Sequence, residues 1–297
     1  GILTESTAKQ LREDLLKAGG LVSAYEFENH SGMFPAVDRR MRFCLLTLAS
    51  KGPQGQPGTF VFRARTVEDL SDRHRVVELR ADEIRQQSPQ TLQIPVFESQ
   101  QDASLARRLH TQLPNNPSCP NTSWGLRLTR VFDMSRDAQL FCTHNQLQSR
   151  GGRLAGNRIT LPNGEVWVPV LEGKMVDMLD HRAADIQLQP KNVHRPQQPK
   201  RLTDAEKQDP NREARPYLWC PLAVARRRAP PWKKSWIGVA KRVTSVTNAR
   251  TLRVAVIPWG EIALSYTLYA ITCAQDHQQY ASGLVACMCS LVTDYLV

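Results

Sequence analysis

The chain has 297 residues, 41% of them hydrophobic, and a formal net charge of +11 at pH 7. That apolar content suffices for a buried core, so we expect one large or two smaller globular domains rather than a disordered chain. The longest apolar run, residues 283–292, is about half of what a bilayer crossing needs, which excludes a membrane protein. The seven cysteines form no C-x-x-C pair, which argues against a disulfide framework or a zinc cluster and predicts a cytoplasmic protein.

The pattern of residues 1–75 is typical of a layered α/β segment. Residues 1–3 are predicted to end a strand, and a helix follows that begins at a capping box of Thr7 and Gln10 and ends at Gly19. Strands are predicted over three further runs, at residues 22–27, 42–49 and 60–64. Because the run at 42–49 is almost wholly apolar, we expect a sheet that is covered on both faces.

Residues 76–297 are predicted to form a mixed α+β domain without a parallel-sheet repeat. Residues 187–216 contain five prolines and few large apolar side chains, so we expect a flexible loop there. Pro169 favours an edge position for its strand. The other predicted elements are helices at 81–87, 102–113 and 276–295, and strands at 126–134, 165–171 and on both sides of a polar turn at 247–250.

The positive charge is concentrated in one part of the chain. Residues 187–260 carry 16 Lys or Arg against four Asp or Glu, so the rest of the chain has a charge of −1. Residues 214–260, the basic window, contain ten cations, four tryptophans and no acidic residue. Such a window predicts a polyanion as partner, and its five prolines exclude one continuous amphipathic helix on a membrane surface. The alternative is a solvated basic face beside a local aromatic core.

Catalytic motifs are absent from the sequence. We find no glycine-rich strand-to-helix turn, no P-loop, no H-E-x-x-H and no G-x-S-x-G. The stretches NNPSCP at 115–120 and PPW at 230–232 only superficially resemble the Asn-Pro-Pro-aromatic motif that holds a flipped adenine. Asp180, His181 and Arg182 form one cluster of acid and base, which we interpret as orienting or recognising rather than catalytic.

Six stretches in order resemble the C-terminal part of large adenine-N6 DNA methyltransferases of type II restriction-modification and phage-defence systems. They cover much of the chain, and the LEGKM–DHR and TNART–IP pairs are the most specific. The stretches are GILTESTAKQLREDLL, AYEFENHSGMFPAVDRRMRFCLLTL, QSPQTLQIPVFES, VPVLEGKMVDMLDHR, RRAPPWKKSWIGVAKRVTSVTNARTLRVAVIP and SLVTDYLV.

The resemblance implies that residues 1–75 are the last strands and helix of a Rossmann-like methyltransferase core and that residues 76–297 are its DNA target-recognition domain. The S-adenosyl-L-methionine site and the catalytic motif would then lie upstream, in the parent polypeptide. This chain would hold no cofactor, catalytic residue or metal and would be inactive alone. The partners implied are duplex DNA and the upstream core, and the chain would be a fragment at both ends.

Two groups of side chains are the candidates for DNA contact. Cations are expected to hold phosphates, and polar residues in the two specific motifs are expected to reach base edges. The candidate DNA-binding residues are Lys174, His181, Arg182, Arg226, Arg227, Arg228, Lys233, Lys234, Lys241, Arg242, Thr247, Asn248, Arg250 and Thr251.

Two other functions are compatible with the basic window. One is a stand-alone, non-enzymatic DNA- or RNA-binding module, for which the charge alone would suffice. The other is a scaffold subunit of a defence complex, in which the window would contact protein. Affinity for DNA that falls steeply with salt would separate these alternatives.

Overall fold

The computed structural model describes residues 1–53, 55–112, 124–193, 196–244 and 248–296. The chain forms two compact units, Gly1–Cys119 and Pro120–Val297. The sequence-based boundary after residue 75 is therefore too early. The physical reason is strand pairing, because the strand that follows residue 75 completes the sheet of the first unit.

Within its described residues, the first unit has a mixed four-stranded sheet and three α-helices. The sheet order is β2-β1-β3-β4, in which β1 and β3 are parallel and the other neighbours are antiparallel. Its elements are α1 (Lys9–Ala18), β1 (Leu21–Glu28), β2 (Arg42–Leu48), β3 (Gly58–Ala64), β4 (Val77–Leu79), α2 (Ala81–Gln87) and α3 (Gln100–Gln112). Helix α1 ends at Gly19, whose φ of 64° is the left-handed conformation that glycine adopts without strain.

The composition of β2 predicted a strand that is covered on both faces, and this prediction is wrong. Strand β2 is an edge strand, and the side chains of Leu45 and Leu48 are 55% and 47% exposed. Cys44 and Leu46 are partly buried, because they pack against the core of Phe60 and its neighbours. The apolar run therefore predicts the strand correctly but does not predict how deeply it is buried.

Arg12 ties the start of the first unit to its far end. The side chain is 2% exposed, and its guanidinium donates hydrogen bonds to the carbonyls of Ile2, Glu5, Thr91 and Leu92 at 2.7–2.8 Å. These bonds satisfy the buried cation without a carboxylate. Residues 1–3 form a turn and not the predicted strand end, since the amides of Thr4 and Glu5 both bond to the carbonyl of Gly1.

The second unit contains most of the strands. A four-stranded antiparallel sheet has the order β14-β13-β16-β5, and a six-stranded sheet has the order β6-β12-β9-β8-β7 with β15 beside β9. The strands are β5 (Arg127–Thr129), β6 (Cys142–Thr143), β7 (Arg153–Ala155), β8 (Arg158–Thr160), β9 (Val166–Leu171), β10 (Ala184–Leu188), β11 (Gln197–Arg201), β12 (Leu218–Pro221), β13 (Trp236–Lys241), β14 (Val254–Pro258), β15 (Ala263–Leu264) and β16 (Leu268–Thr272). The helices are α4 (His144–Ser149), α5 (Asp204–Gln208), α6 (Leu222–Arg228), α7 (Ala281–Met288) and α8 (Leu291–Leu296).

One apolar core joins the two sheets of the second unit. It contains Val168 and Val170 from β9, Ile237 and Val239 from β13, and Met175 from the 3-10 turn Gly173–Met175. The short elements after residue 120 thus share a core although none is long. Among the described residues, no helix has the length and apolar content that a membrane crossing requires.

Strand β9 lies inside its sheet, so Pro169 does not mark an edge. On one side Pro169 pairs with Trp219 of β12. On the other side β8 pairs with β9 as far as Trp167, and β15 begins to pair at Val170. Pro169 therefore falls between these two partners, where its missing N–H leaves no ladder bond unmade.

Residues 187–216 are not a loop throughout. Strands β10 and β11 form an antiparallel hairpin, and Thr203 caps α5 in a capping box with Glu206. The side chain of Leu202 is 6% exposed, and Arg212 reaches the Asp185 carboxylate at 2.6 Å. The prolines fit because Pro199 lies in a two-stranded ladder, which requires hydrogen bonds on one side of each strand only.

The predicted C-terminal helix is divided into three pieces. A 3-10 segment Gln275–Tyr280 precedes α7, and α8 begins after a break at Cys289 and Ser290. The Ser290 hydroxyl accepts a hydrogen bond from the amide of Thr293, which starts the new helix.

We expect Arg12→Met to lower the free energy of unfolding of the first unit by about 3 kcal/mol, because the buried carbonyl of Leu92 and three partly buried carbonyls lose a charged donor. Hydrogen exchange of the β1 and β3 amides measures this opening. Arg39→Met, at an exposed position, is the matched control and should leave the exchange unchanged. Equal protection in both variants would mean that Arg12 does not hold this unit together.

Candidate nucleic-acid interface

Carboxylates from outside the basic window neutralise four of its ten cations. Arg226 lies 3.8 Å from Glu261, Arg228 lies 3.1 Å from Asp137, Arg250 lies 2.9 Å from Asp294, and Arg253 lies 3.0 Å from Asp177. Among the described residues, no carboxylate forms an ion pair with the other six, which are Arg215, Arg227, Lys233, Lys234, Lys241 and Arg242. The window therefore remains basic, but less so than its sequence indicates.

The four tryptophans of the basic window mainly pack inside the protein. Trp219 is 4% exposed, and Trp232 and Trp259 pack against the main core of the second unit. Trp236 packs against a smaller cluster, and its carbonyl accepts a hydrogen bond from the Trp232 indole. The four rings are thus distributed over three apolar clusters and do not form one local aromatic core.

Asp177 brings together parts of the two most specific motifs. Its carboxylate accepts hydrogen bonds from Arg201 and from Arg253, both at 3.0 Å, and from the amide of Met178 at 2.9 Å. Burial by itself would raise the pKa of Asp177, but these donors and the nearby Lys241 outweigh it, so the pKa lies below its ordinary 3.8. Asp177 is therefore a fixed anion among cations.

Lys241 lies close enough to this carboxylate for the two charges to interact, and Lys174 precedes Asp177 by three residues in the sequence. Lys241 is half-buried, and burial lowers the pKa of its ammonium although Asp177 opposes the shift. Lys174 is exposed and donates from Nζ to the carbonyl of Gln197 at the start of β11. We name this group the Asp177 cluster and define it as Asp177 with Lys174, Arg201, Lys241 and Arg253.

Arg242 extends the Asp177 cluster across the neighbouring turn. Its guanidinium lies over the Tyr266 ring, 5.8 Å from the centroid, and its amide donates to the carbonyl of Thr267. The Thr267 hydroxyl accepts in turn from the amide of Gly173, beside Lys174. The backbones at Arg242 and at Gly173, the neighbour of Lys174, are thereby bonded to the same residue.

Glu172 adds a buried acid at the end of β9. The residue is 8% exposed, and its Oε1 has no hydrogen-bond partner among the described residues. Burial raises the pKa of Glu172, while the charge of Lys174 partly opposes the shift. Its desolvated carboxyl therefore carries a negative charge less readily than an exposed glutamate.

His181 and Arg182 lie in an internally bonded loop. The Arg182 guanidinium donates to the carbonyls of Lys207, Asp209 and Arg212. His181 is half-buried, and burial lowers the pKa of its imidazole. Arg182 thus ties the loop to the end of α5 and to the segment that follows it.

The polar residues of the second motif have different surroundings. Thr247 lies outside the described residues. Asn248 donates to the Thr244 hydroxyl at 2.9 Å, and Thr251 is exposed. Besides its ion pair with Asp294, Arg250 donates to the carbonyls of Cys289 and Ser290, so its guanidinium anchors the start of α8.

Two other groups of candidate cations lie away from the Asp177 cluster. Arg226, Arg227 and Arg228 form the last turn of α6, where cations interact favourably with the helix dipole. Lys233 and Lys234 precede β13, whereas Lys241 ends it. Six residues of strand span about 20 Å, so these lysines and the cluster lie at opposite ends of β13.

The sequence did not identify Asp177, Arg201, Arg253 or Tyr266 as site residues. Asp177 lies within the same short motif as Asp180, and nothing in the sequence indicates that the Asp177 carboxylate pairs with two arginines. Arg201 lies in the proline-rich segment that was interpreted as a loop. The signal that could have identified Arg253 is its place two residues after the TNART run, within the acid-free window.

We expect Asp177→Asn to lower the free energy of unfolding at neutral pH, because Arg201 and Arg253 lose their anionic partner. A carboxylate with a lowered pKa stabilises the fold above its ordinary pKa, and this stabilisation disappears as the pH falls through the folded value. The deficit of Asp177→Asn should therefore shrink below about pH 4. Urea unfolding from pH 2 to 7 measures it, with the exposed Asp204→Asn as control. A deficit that stays constant with pH would contradict the ion-pair assignment.

Within the described residues, no group of three or more His, Cys, Asp or Glu is arranged to hold a metal ion. No family model and no curated protein matches the sequence. What supports a function for this chain is therefore the placement of its charges and aromatic rings.

Proposed function

We propose that this chain is the DNA-recognition part of a site-specific adenine-N6 DNA methyltransferase of a restriction-modification or phage-defence system. The observation that carries the proposal is the Asp177 cluster. Lys174 from one motif and Lys241 and Arg242 from the other are set on adjoining backbone, and no described carboxylate pairs with any of them. A fixed group of unpaired cations is suited to the phosphates of a duplex.

In this proposal the side chains divide by role. Lys174, Lys241 and Arg242 position the phosphate backbone, since each presents a cation on a strand end or a turn. Asn248 and Thr251 read base edges, because they carry short polar side chains on the connection between β13 and β14. Arg182 and Arg250 act indirectly, by holding the segments that carry the contacts.

The first unit corresponds in this proposal to the end of the Rossmann-like core. Its parallel pair β1 and β3, with helices before and after, supports that correspondence. The described part of this unit does not fit the methyl donor, however. Strand β4 leads directly into α2 through Arg80, and this connection lacks the glycine-rich turn against which the donor's methionine moiety packs. S-adenosyl-L-methionine would therefore be held by the upstream part of the parent polypeptide.

We expect the chain to bind duplex DNA with an affinity that falls steeply with salt. If five or six cations contact phosphates, the slope of log affinity against log salt is about −5. The triple variant Lys174→Ala, Lys241→Ala, Arg242→Ala should lose about three units of that slope, because each contact contributes about 0.9. Fluorescence anisotropy with a labelled duplex at several salt concentrations measures both slopes.

The matched control removes three exposed cations from the first unit, with the changes Arg39→Ala, Lys51→Ala and Arg73→Ala. Its net charge changes by the same amount, so general attraction falls equally in both variants. An equal loss of slope in the two triple variants would refute the Asp177 cluster as the interface. A wild-type slope near zero would refute DNA binding itself and favour a scaffold that contacts protein.

We also expect residues 1–297 alone to show no binding of S-adenosyl-L-methionine by calorimetry and no methyl incorporation into DNA. The reason is that a methyl transfer requires a donor site and a base-holding motif in one geometry, and the sequence contains neither motif. The parent polypeptide should show both activities. Micromolar binding of the donor by residues 1–297 would contradict the proposed division between core and recognition part.

A further inference from the structure

A cavity of about 530 Å³ opens in the second unit, away from the Asp177 cluster. Its walls are β5, the end of β16, the segment 230–233 and the start of the 3-10 segment Gln275–Tyr280. This volume lies within the range of small-molecule sites, about 300–1,000 Å³. The cavity is thus large enough for one nucleotide.

The wall of the cavity is basic. Arg127 and Lys233 line it, no acidic residue is among its lining residues, and no described carboxylate forms an ion pair with either cation. The Trp232 indole is fixed in the wall by its hydrogen bond to the Trp236 carbonyl at 2.6 Å. Gln278, which is 8% exposed, contributes a carboxamide that both donates and accepts hydrogen bonds. These groups fit an anion attached to a flat polar ring.

Exposed aromatic residues lie next to the lining residues of the cavity in the sequence, Trp124 beside Gly125 and Tyr280 two positions after Gln278. Trp124 and Tyr280 are 41% and 54% exposed, and their ring centroids lie 6.0 Å apart in an edge-on arrangement. The His277 ring is 5.8 Å from Trp124. The carbonyl of Trp124 accepts from the amide of Ala274, which lines the cavity. This bond attaches the Trp124 backbone to the cavity wall, and we call Trp124 and Tyr280 the rim.

We propose that this rim and cavity form a binding site for a single unpaired nucleotide, the base stacking on Trp124 or Tyr280 and the phosphate lying against Arg127 and Lys233. Exposed aromatics beside unpaired cations are the combination that holds unstacked bases in single-strand binding proteins. A base inside a duplex cannot reach such a rim, because both of its faces are already stacked. The site therefore differs in ligand from the Asp177 cluster, and it extends the proposed DNA recognition to unpaired bases.

The test compares three DNA probes with nearly equal numbers of phosphates, which are a paired duplex, the same duplex with one bulged adenine, and a thymidine single strand. Dissociation constants come from anisotropy at one salt concentration, and a 2-aminopurine in place of the bulged base reports stacking by quenching. We expect the bulged duplex to bind about tenfold tighter than the paired one, the size of one stacking interaction. Tighter binding of the bulged duplex than of the single strand identifies an extrahelical nucleotide as the ligand of this site. The reverse order identifies single-stranded DNA as the ligand.

Trp124→Ala should remove the tenfold preference and the quenching while paired-duplex affinity stays within about twofold. Tyr280→Ala is a second variant at the rim with the same expectation, and Trp124→Phe should restore part of the preference. Phe34→Ala, an exposed aromatic of the first unit, is the matched control and should keep it.

The proposed site would be refuted if the wild-type protein bound the paired, bulged and single-stranded probes with equal affinity. It would also be refuted if neither rim variant changed the preference for the bulged duplex. Paired-duplex binding with a steep salt slope would at the same time leave the DNA-recognition proposal standing. Absence of salt-dependent binding to every probe would refute both.

Discussion

The contact between Asp177 and Arg253 connects distant segments of the second unit. It joins two segments 76 positions apart in the sequence, the turn after β9 and the residue before β14. Arg201, the last residue of β11, donates to the other oxygen of the same carboxylate and thereby connects the β10–β11 hairpin to it. Three pieces of backbone thus meet at one anion, which also balances part of the repulsion among the cations beside it. Without that anion, these cations would have no common point of attachment.

Local patterns in the sequence predicted several elements well, because short-range periodicity and glycine determine them. Helix α1 ends at Gly19, and β1 and β3 occupy the runs that alternate or cluster apolar side chains. What they did not predict depends on distant partners. The exposure of β2 follows from its edge position, and the order in residues 187–216 follows from contacts such as Arg212 with Asp185. The composition of the chain reveals neither the exposure of β2 nor the order in residues 187–216.

In the candidate site, too, the features that depend on local sequence were predicted, and those that depend on distant partners were not. The acid-free window did identify Lys241 and Arg242, which remain without carboxylate partners among the described residues. It also indicated Arg228 and Arg250, whose partners Asp137 and Asp294 come from outside the window. Charge counted along the chain overestimates the charge that a surface presents, because folding brings distant acids to the same place. The rim aromatics Trp124 and Tyr280 went unnoticed since they lie far apart in sequence.

Strand pairing in the second unit has a consequence for its synthesis. Strand β5 pairs with β16, and β9, which pairs locally with β8, also pairs with β12 and β15, so the pairing of these two strands is complete only when later parts of the chain have been made. The first unit pairs its strands among its own residues. A growing chain would therefore leave the ribosome with the strands of the first unit paired while β9 still lacked two of its three partners. Such long-range pairing forms slowly and leaves apolar strands exposed to aggregation in the meantime.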